Sequence, residues 1–485
     1  MPPHGLPRLP GPNSHVRRIA HDLEAGLNCV WVLPGRLVGD GYAEELFEEL
    51  LGVLPHHVRL PEPEQGIPEE MSPPVETEPV SRCWADDLTV LADYDDGLGA
   101  VWSPDTLAVA QPSAASVASS GPAPGLGGRG PSITERLAVV VKAEDGADGR
   151  LDAVSCLVHG ATRTPPVVAV KAWLETAPDE TARLLRRVSA AVKEAGLPPE
   201  HRPRILLLVR LGDLPEALVD SLDEAVTAVH WWWGVLGRLD TAIVVRESQS
   251  TNRRPLRGAA AVRRRILDAL RTEITAEVSG PDLAMAAALA SRWDGCLSTL
   301  GDAIADCLGQ TSTAGAAGPP SARRGAAVAH RPELALRAVW DAGAVDSWEG
   351  QLRYHASCWT PSSPDAPLPG LQAKMVWQAQ NRVLLPLLDD ARAEFADSLV
   401  AAAVHGPVQL ALGYGPRNAR SENPAADIAE MELGDIWAAV CHGQVRMNKS
   451  DRNRLMRLRH ARNCLAHRSP LNDDEVRKVC DALAW

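Results

Sequence analysis

The residues best suited to chemistry are Arg462, Asn463 and His467, in a run that reads as one amphipathic helix over Asp451–Arg468. At about 100° per residue, Arg459, Asn463 and His467 recur at i, i+4 and i+8 and form a stripe. Arg462 stands beside that stripe. Leu455, Leu458 and Leu465, with Ala461 and Cys464, mark the opposite, packing side. A histidine with an ordinary pKa near 6.5 can take a proton from a ribose 2′-hydroxyl or give one to a leaving 5′-oxygen. An adjacent arginine can grip the phosphate oxygens in a bidentate fashion, and an asparagine can orient the ring or bind a phosphate oxygen. Such a trio needs no metal, and no Asp, Glu and His cluster is visible elsewhere in the sequence. The expectation is therefore no metal and no cofactor. Arg454, Arg457, Arg459 and Lys449 are the expected RNA contacts. They form a local basic surface, with Arg452 nearby, in a chain whose net charge is −13, so the protein as a whole is no polyanion binder.

Arg462-Asn463 followed by Leu465-Ala466-His467 resembles the R-x(4–6)-H motif of HEPN ribonucleases, often written R-N-x-x-x-H. Leu433-Gly434-Asp435-Ile436-Trp437 on an earlier helix and Pro470-Leu471-Asn472 before a last helix are also similar to that superfamily. The resemblance covers about the last 60–110 residues. It implies a helical module, metal-independent RNA cleavage, and a homodimer in which two motifs face each other. His467 would be the general acid/base, Arg462 the phosphate and transition-state stabiliser, and Asn463 the orienter. Such modules recur in toxin–antitoxin, antiphage and RNA-processing systems.

The N-terminal half offers weaker chemistry. The apolar run Cys29–Leu33, followed by Pro34 to Gly41 and a helix, stands where a P-loop would be, and Gly35, Gly39 and Gly41 are the candidate nucleotide-binding residues. The glycines are misspaced for G-x-x-x-x-G-K-[ST], and the lysine and the Ser/Thr are both missing. The order of elements resembles AAA- or STAND-type NTPases with the motif eroded. Two Walker-B-like sites, Val139–Asp145 and Ile205–Asp213, read as ordinary acidic strand ends. Of the three indoles in His230-Trp231-Trp232-Trp233-Gly234, at least one is expected to be a surface or interdomain anchor. His159 and His355 read as structural.

The elements that must position these groups fall into two classes. Asn13 or Ser14 is expected to cap a helix carrying Val16, Ile19 and Leu23. Strands are expected at Cys29–Leu33, Ala138–Val141, Val167–Val170, Ile205–Val209 and Ala242–Val245, and helices at Tyr42–Leu51, Glu180–Ala195 and Ala217–Val229. Their alternation predicts an α/β half with a parallel sheet over residues 1–250, with Pro/Gly/Ser-rich insertions near 61–79 and 113–132. No strand is expected after Arg253. Helices are expected at Ala259–Val278, Asp282–Leu308, Pro332–Trp340, Leu371–Val404, Ile428–Cys441 and Asp451–Arg468, and Asn472 should cap one over Asp473–Leu483. This gives a helical connector over 254–310, a linker over 311–331 and an all-α region over 332–485, with the HEPN-like end at about 371–485.

Nine scattered cysteines without a C-x-x-C pair suit reduced thiols in a cytoplasm. No signal peptide or spanning segment is visible, and no membrane partner is expected. Two functions fit: a conflict or antiphage effector that cuts RNA and whose α/β half senses or regulates, or a non-catalytic scaffold/sensor whose α/β half binds a protein partner and whose helical half mediates dimerisation or partner binding.

Overall fold

In the computed structural model, the described residues are 5–63, 131–145, 152–159, 165–175, 177–249, 256–311, 328–359, 370–416 and 423–484. The three Pro/Gly/Ser-rich segments expected near 61–79, 113–132 and 311–331 lie almost wholly outside them. The chain divides into two compact units, residues 21–32 with 54–229, and residues 1–20 with 33–53 and 230–485. Its first elements are α1 (Pro10–Glu24), β1 (Asn28–Val32), α2 (Gly35–Gly39), α3 (Tyr42–Val53) and β2 (His57–Arg59). Next come α4 (Ile133–Asp145), α5 (Ala153–His159), β3 (Val167–Lys171), α6 (Pro178–Ala195), β4 (Arg204–Val209), α7 (Glu216–Ser221) and β5 (Thr227–Trp231).

The unit containing residues 54–229 is built on a five-stranded sheet of order β2-β3-β4-β1-β5. The pairs β1–β4, β3–β4 and β2–β3 are parallel, with Cys29 opposite Leu206 and Val167 opposite Arg204. Every residue of β1 and β4 is buried, as expected of a parallel strand covered on both faces. The buried Asn28 amide fixes the register. It accepts from the Ile205 amide at 2.8 Å and donates to the Val226 carbonyl at 3.2 Å. Helix α6 buries Leu184, Leu185, Val188 and Val192, and ends at Gly196, whose φ of 61° suits glycine best.

The other unit is mainly helical. It continues with α8 (Arg238–Ser248), α9 (Ala259–Ser279), α10 (Leu283–Arg292), α11 (Leu300–Thr311) and α12 (Leu334–Asp341). A hairpin, β6 (Val345–Trp348) and β7 (Gln351–Tyr354), precedes α13 (Leu371–Ala402), α14 (Pro407–Tyr414) and α15 (Pro424–Ala429). The last helices are α16 (Leu433–Cys441), α17 (Lys449–Ala466) and α18 (Asp473–Leu483). The long α13 is the spine, packing on α9, α15, α16, α17 and α18. One apolar core runs through Ile274, Leu388, Phe395, Ile436, Leu458, Leu465 and Val479. Glu277 joins four elements by accepting from Arg238, Arg353 and Arg382. Burial opposes its ionisation, but the guanidinium groups win and hold its carboxyl below the ordinary range. Among the described residues no helix is long and apolar enough to cross a membrane.

Several expectations for single elements are overturned. Ala138–Val141 and Ala242–Val245 are not strands but lie inside α4 and α8, and the segment expected as a helix over Ala217–Val229 ends in β5. Helix α1 starts at Pro10 rather than at a cap on Asn13 or Ser14, with proline where its missing N–H costs nothing. The β6–β7 hairpin follows Arg253, where no strand was expected. Its turn holds Glu349 at a φ of 53°, and that carboxylate accepts the Arg238 amide at 2.7 Å, at the start of α8. All three indoles of the Trp231–Trp233 run are buried, so none is a surface anchor. Trp340 donates from its indole to the Trp232 carbonyl at 3.2 Å and meets Trp231 edge-on at 5.6 Å.

Candidate functional site

Helix α17 forms because its sequence supplies both a start and a buried face. Asn448 caps it by accepting the Asp451 amide at 2.8 Å. Leu455, Leu458, Ala461 and Leu465 are buried against the core, and the other positions range from half-buried to exposed. The helix ends at Ala466, two residues earlier than the sequence suggests, with His467 as its C-cap. There the Arg468 amide bonds back to Leu465 at 3.2 Å and the Ser469 amide to Cys464 at 2.9 Å. This is the Schellman arrangement, and it puts Arg468 at a φ of 57°, in the left-handed position where glycine is usual.

The turn is held from α13. The Trp377 indole donates to the Leu465 carbonyl at 2.7 Å. The fully buried Gln380 amide accepts the Leu471 N–H at 2.7 Å and donates to the Leu471 carbonyl at 2.8 Å. Asn472 then caps α18, as the sequence suggests, by accepting the Asp474 and Glu475 amides at 3.0 Å. His467 thus stands at the edge of a rigid turn rather than on a loose end.

The polar residues of α17 divide into two groups. His467 is exposed, and among the described residues its ring makes no hydrogen bond. Asn463 is half-buried with its amide also unengaged. Arg459 lies 5.9 Å from the Trp437 ring centre, and its buried Nε lacks a hydrogen-bond partner. Arg462 pairs with Glu432, the cap residue of α16, at 3.2 Å. With both side chains exposed, such a pair is worth about 0–1 kcal/mol and yields readily to a phosphate. Arg457 and Lys449 are exposed, but Lys449 opens the 18-residue helix, about 27 Å from His467 at about 1.5 Å per residue. Arg454 is engaged in packing. It stacks on Phe395 at 5.0 Å, donates to the Ala482 carbonyl at 2.9 Å and pairs with Glu394 at 2.8 Å.

The P-loop position has a different geometry. Residues Gly35–Gly39 form the short α2, and the Gly35 amide is already bound by the Asp341 carboxylate at 2.7 Å. An acid there repels phosphate, and with Gly39 and Gly41 around a helix instead of a loop, no phosphate cradle results. Of the Walker-B-like sites, Asp213 is spent on the Arg210 guanidinium at 2.9 Å and the Arg210 amide at 2.8 Å. The side chains of Glu144 and Asp145 lie outside the described residues. His355 is less isolated than its sequence neighbours suggest. Its Nε2–H donates to Asp282 at 2.9 Å, and its Nδ1 accepts from the Ser357 hydroxyl at 2.7 Å. Asp282 also caps α10 through the Met285 amide, so this relay ties the hairpin to that helix.

A further group was not foreseen, because its third member lies across a turn. His460 and Cys464, one helical turn apart on α17, meet Glu475 of α18, with one potential ligand atom from each within 4.8 Å of the others. Burial, and then the Glu475 charge, push the Cys464 thiol up, while hydrogen bonds from His460 and the Asn472 amide hold the Glu475 carboxyl low.

No family model matches the chain, and no similar curated protein or solved structure was found.

Proposed function

We propose that the helical unit carries a HEPN-like ribonuclease site on α17, in which Arg462, Asn463 and His467 cleave RNA without a catalytic metal. The observation that carries this reading is the state of His467. Its ring is exposed and unbonded at the end of a stripe with Asn463 and Arg459, and the adjacent Arg462 is held only by a weak surface pair. A histidine serving the fold would be buried or engaged, as His355 is. In the reaction, one histidine takes the 2′-hydroxyl proton as the 2′-oxygen attacks phosphorus. The bond to the 5′-oxygen breaks, and an acid returns a proton to it, leaving a 2′,3′-cyclic phosphate and a 5′-hydroxyl. Arg462 gathers the charge that builds on the non-bridging oxygens, and Asn463 steadies the ring or the phosphate. Arg459 and Arg457 extend the grip on the RNA backbone. A homodimer that faces two motifs together would supply the base from one copy and the acid from the other.

The α/β unit is, in this proposal, the regulatory half of a cytoplasmic conflict or antiphage effector, receiving a protein partner rather than hydrolysing a nucleotide. Its strand order, read β5-β1-β4-β3-β2, supports the likeness to AAA- and STAND-type sheets. In the helical unit, the Asp341 carboxylate on the Gly35 amide argues against phosphate binding there. The test is cleavage of a mixed RNA pool by the purified protein in Mg²⁺-free buffer. The wild type should cut and His467→Ala should not. A non-catalytic scaffold predicts intact RNA with both.

A further inference from the structure

His460, Cys464 and Glu475 place an imidazole, a thiol and a carboxylate around one point between α17 and α18. The Sγ of Cys464 lies 3.6 Å from His460 Nε2, and Glu475 Oε1 lies 2.9 Å from the same nitrogen. Zinc bonds of about 2.0 Å to nitrogen or oxygen and about 2.3 Å to sulfur put tetrahedral donor atoms about 3.3–3.6 Å apart. The S···N edge already has that length, and the N···O edge needs only a small opening.

When Nε2 carries its proton, it can share it between the Glu475 carboxylate and the Cys464 sulfur. When Nε2 is unprotonated, its lone pair, a thiolate and the carboxylate can all point at one cation. Glu475 is also already oriented. Its other oxygen, Oε2, accepts the Asn472 amide at 2.9 Å in the cap of α18, leaving Oε1 turned to the cluster. Second-shell bonds of this kind set the direction of a metal's carboxylate ligand.

We infer that His460, Cys464 and Glu475 form a zinc-class site that joins α17 to α18 and keeps a fourth position open to solvent. The mixed N, S and O donor set favours Zn²⁺ or Co²⁺ over Mg²⁺ or Ca²⁺. Binding would release the Cys464 proton, so affinity should rise with pH. The side chain of His460 is 59% exposed, which leaves water access to the fourth position. The inference is independent of RNA cleavage, which uses His467.

The experiment is a Co²⁺ titration of the full-length, metal-stripped protein. The expected result is a thiolate-to-cobalt charge-transfer band with tetrahedral d–d bands, saturating at one equivalent and bleached by Zn²⁺. Cys464→Ser should lose the charge-transfer band, and His460→Ala and Glu475→Gln should weaken binding at least tenfold. Cys441→Ser, at an exposed cysteine elsewhere, should keep the band. The far-ultraviolet dichroism of each variant reports its folding. No band in the folded wild type, or a band that survives in Cys464→Ser, would overturn the inference.

Discussion

At the residue scale, what separates the basic side chains of α17 is their direction rather than their charge. Arg457, Arg459 and Arg462 lie outward or in weak pairs, whereas Arg454 is committed to Phe395 and the Ala482 carbonyl. Arg454→Ala should therefore lower the melting temperature and leave RNA affinity near that of the wild type. Arg462→Ala should do the reverse. Loss of a positioned donor to a developing oxyanion costs roughly 10²–10³ in rate, while its surface pair with Glu432 adds little stability. Rate measurements and thermal melts on the same preparations check both. The stripe itself was legible from spacing. The fate of Arg454 was not, because Phe395 and Ala482 are remote in sequence. The His460–Cys464–Glu475 group was hidden for a similar reason, since only the turn through Pro470 brings Glu475 back to α17.

At the scale of elements, the turn between α17 and α18 combines strain with firm anchoring. Arg468 occupies a left-handed position that disfavours side chains by roughly 1 kcal/mol, so Arg468→Gly should raise stability by up to about that amount in denaturant titrations. Gln380→Ala should cost about 2–4 kcal/mol, because it strands both the N–H and the carbonyl of Leu471. Strongly patterned elements were legible, such as β4, apolar from Ile205 to Val209, and α18, announced by its Asn472 cap. Four-residue apolar runs were ambiguous. Ala138–Val141 and Ala242–Val245 read equally well as a buried strand or as part of a helix, and their longer context decided for helix. The β6–β7 hairpin escaped notice because its strands are short and Glu349, rather than Asn or Asp, fills the first turn position.

At the scale of the whole molecule, buried charge makes stability depend on pH. Burial pushes the Asp346 carboxyl up from 3.8 to about 6, against the pull of Arg36 and of the Gly234 and Ser347 amides that it accepts. A raised carboxyl binds its proton more tightly in the folded state, so its stabilising contribution is present below about pH 4 and is lost as pH rises towards 6. Asp346→Asn keeps the acceptor and removes the charge. Relative to wild type it should gain about 2–3 kcal/mol between pH 4 and pH 7, because only the window from about pH 4 to 6 contributes, at about 1.4 kcal/mol per pH unit, measured by denaturant unfolding at each pH. A flat difference would contradict that assignment. The broad division into a parallel α/β unit and a helical unit was legible from alternating apolar runs followed by 3.6-residue periodicity. The missing lysine and Ser/Thr after β1 were legible in the sequence, whereas the Asp341 carboxylate on the Gly35 amide was not, because the two residues are remote in sequence. RNA cleavage by α17 would require His467, and end-group analysis of RNA incubated with purified wild type and His467→Ala in Mg²⁺-free buffer tests that requirement. The expected result is 2′,3′-cyclic phosphate and 5′-hydroxyl ends with the wild type and intact RNA with the variant. Intact RNA with both, or equal cleavage by both, would contradict it.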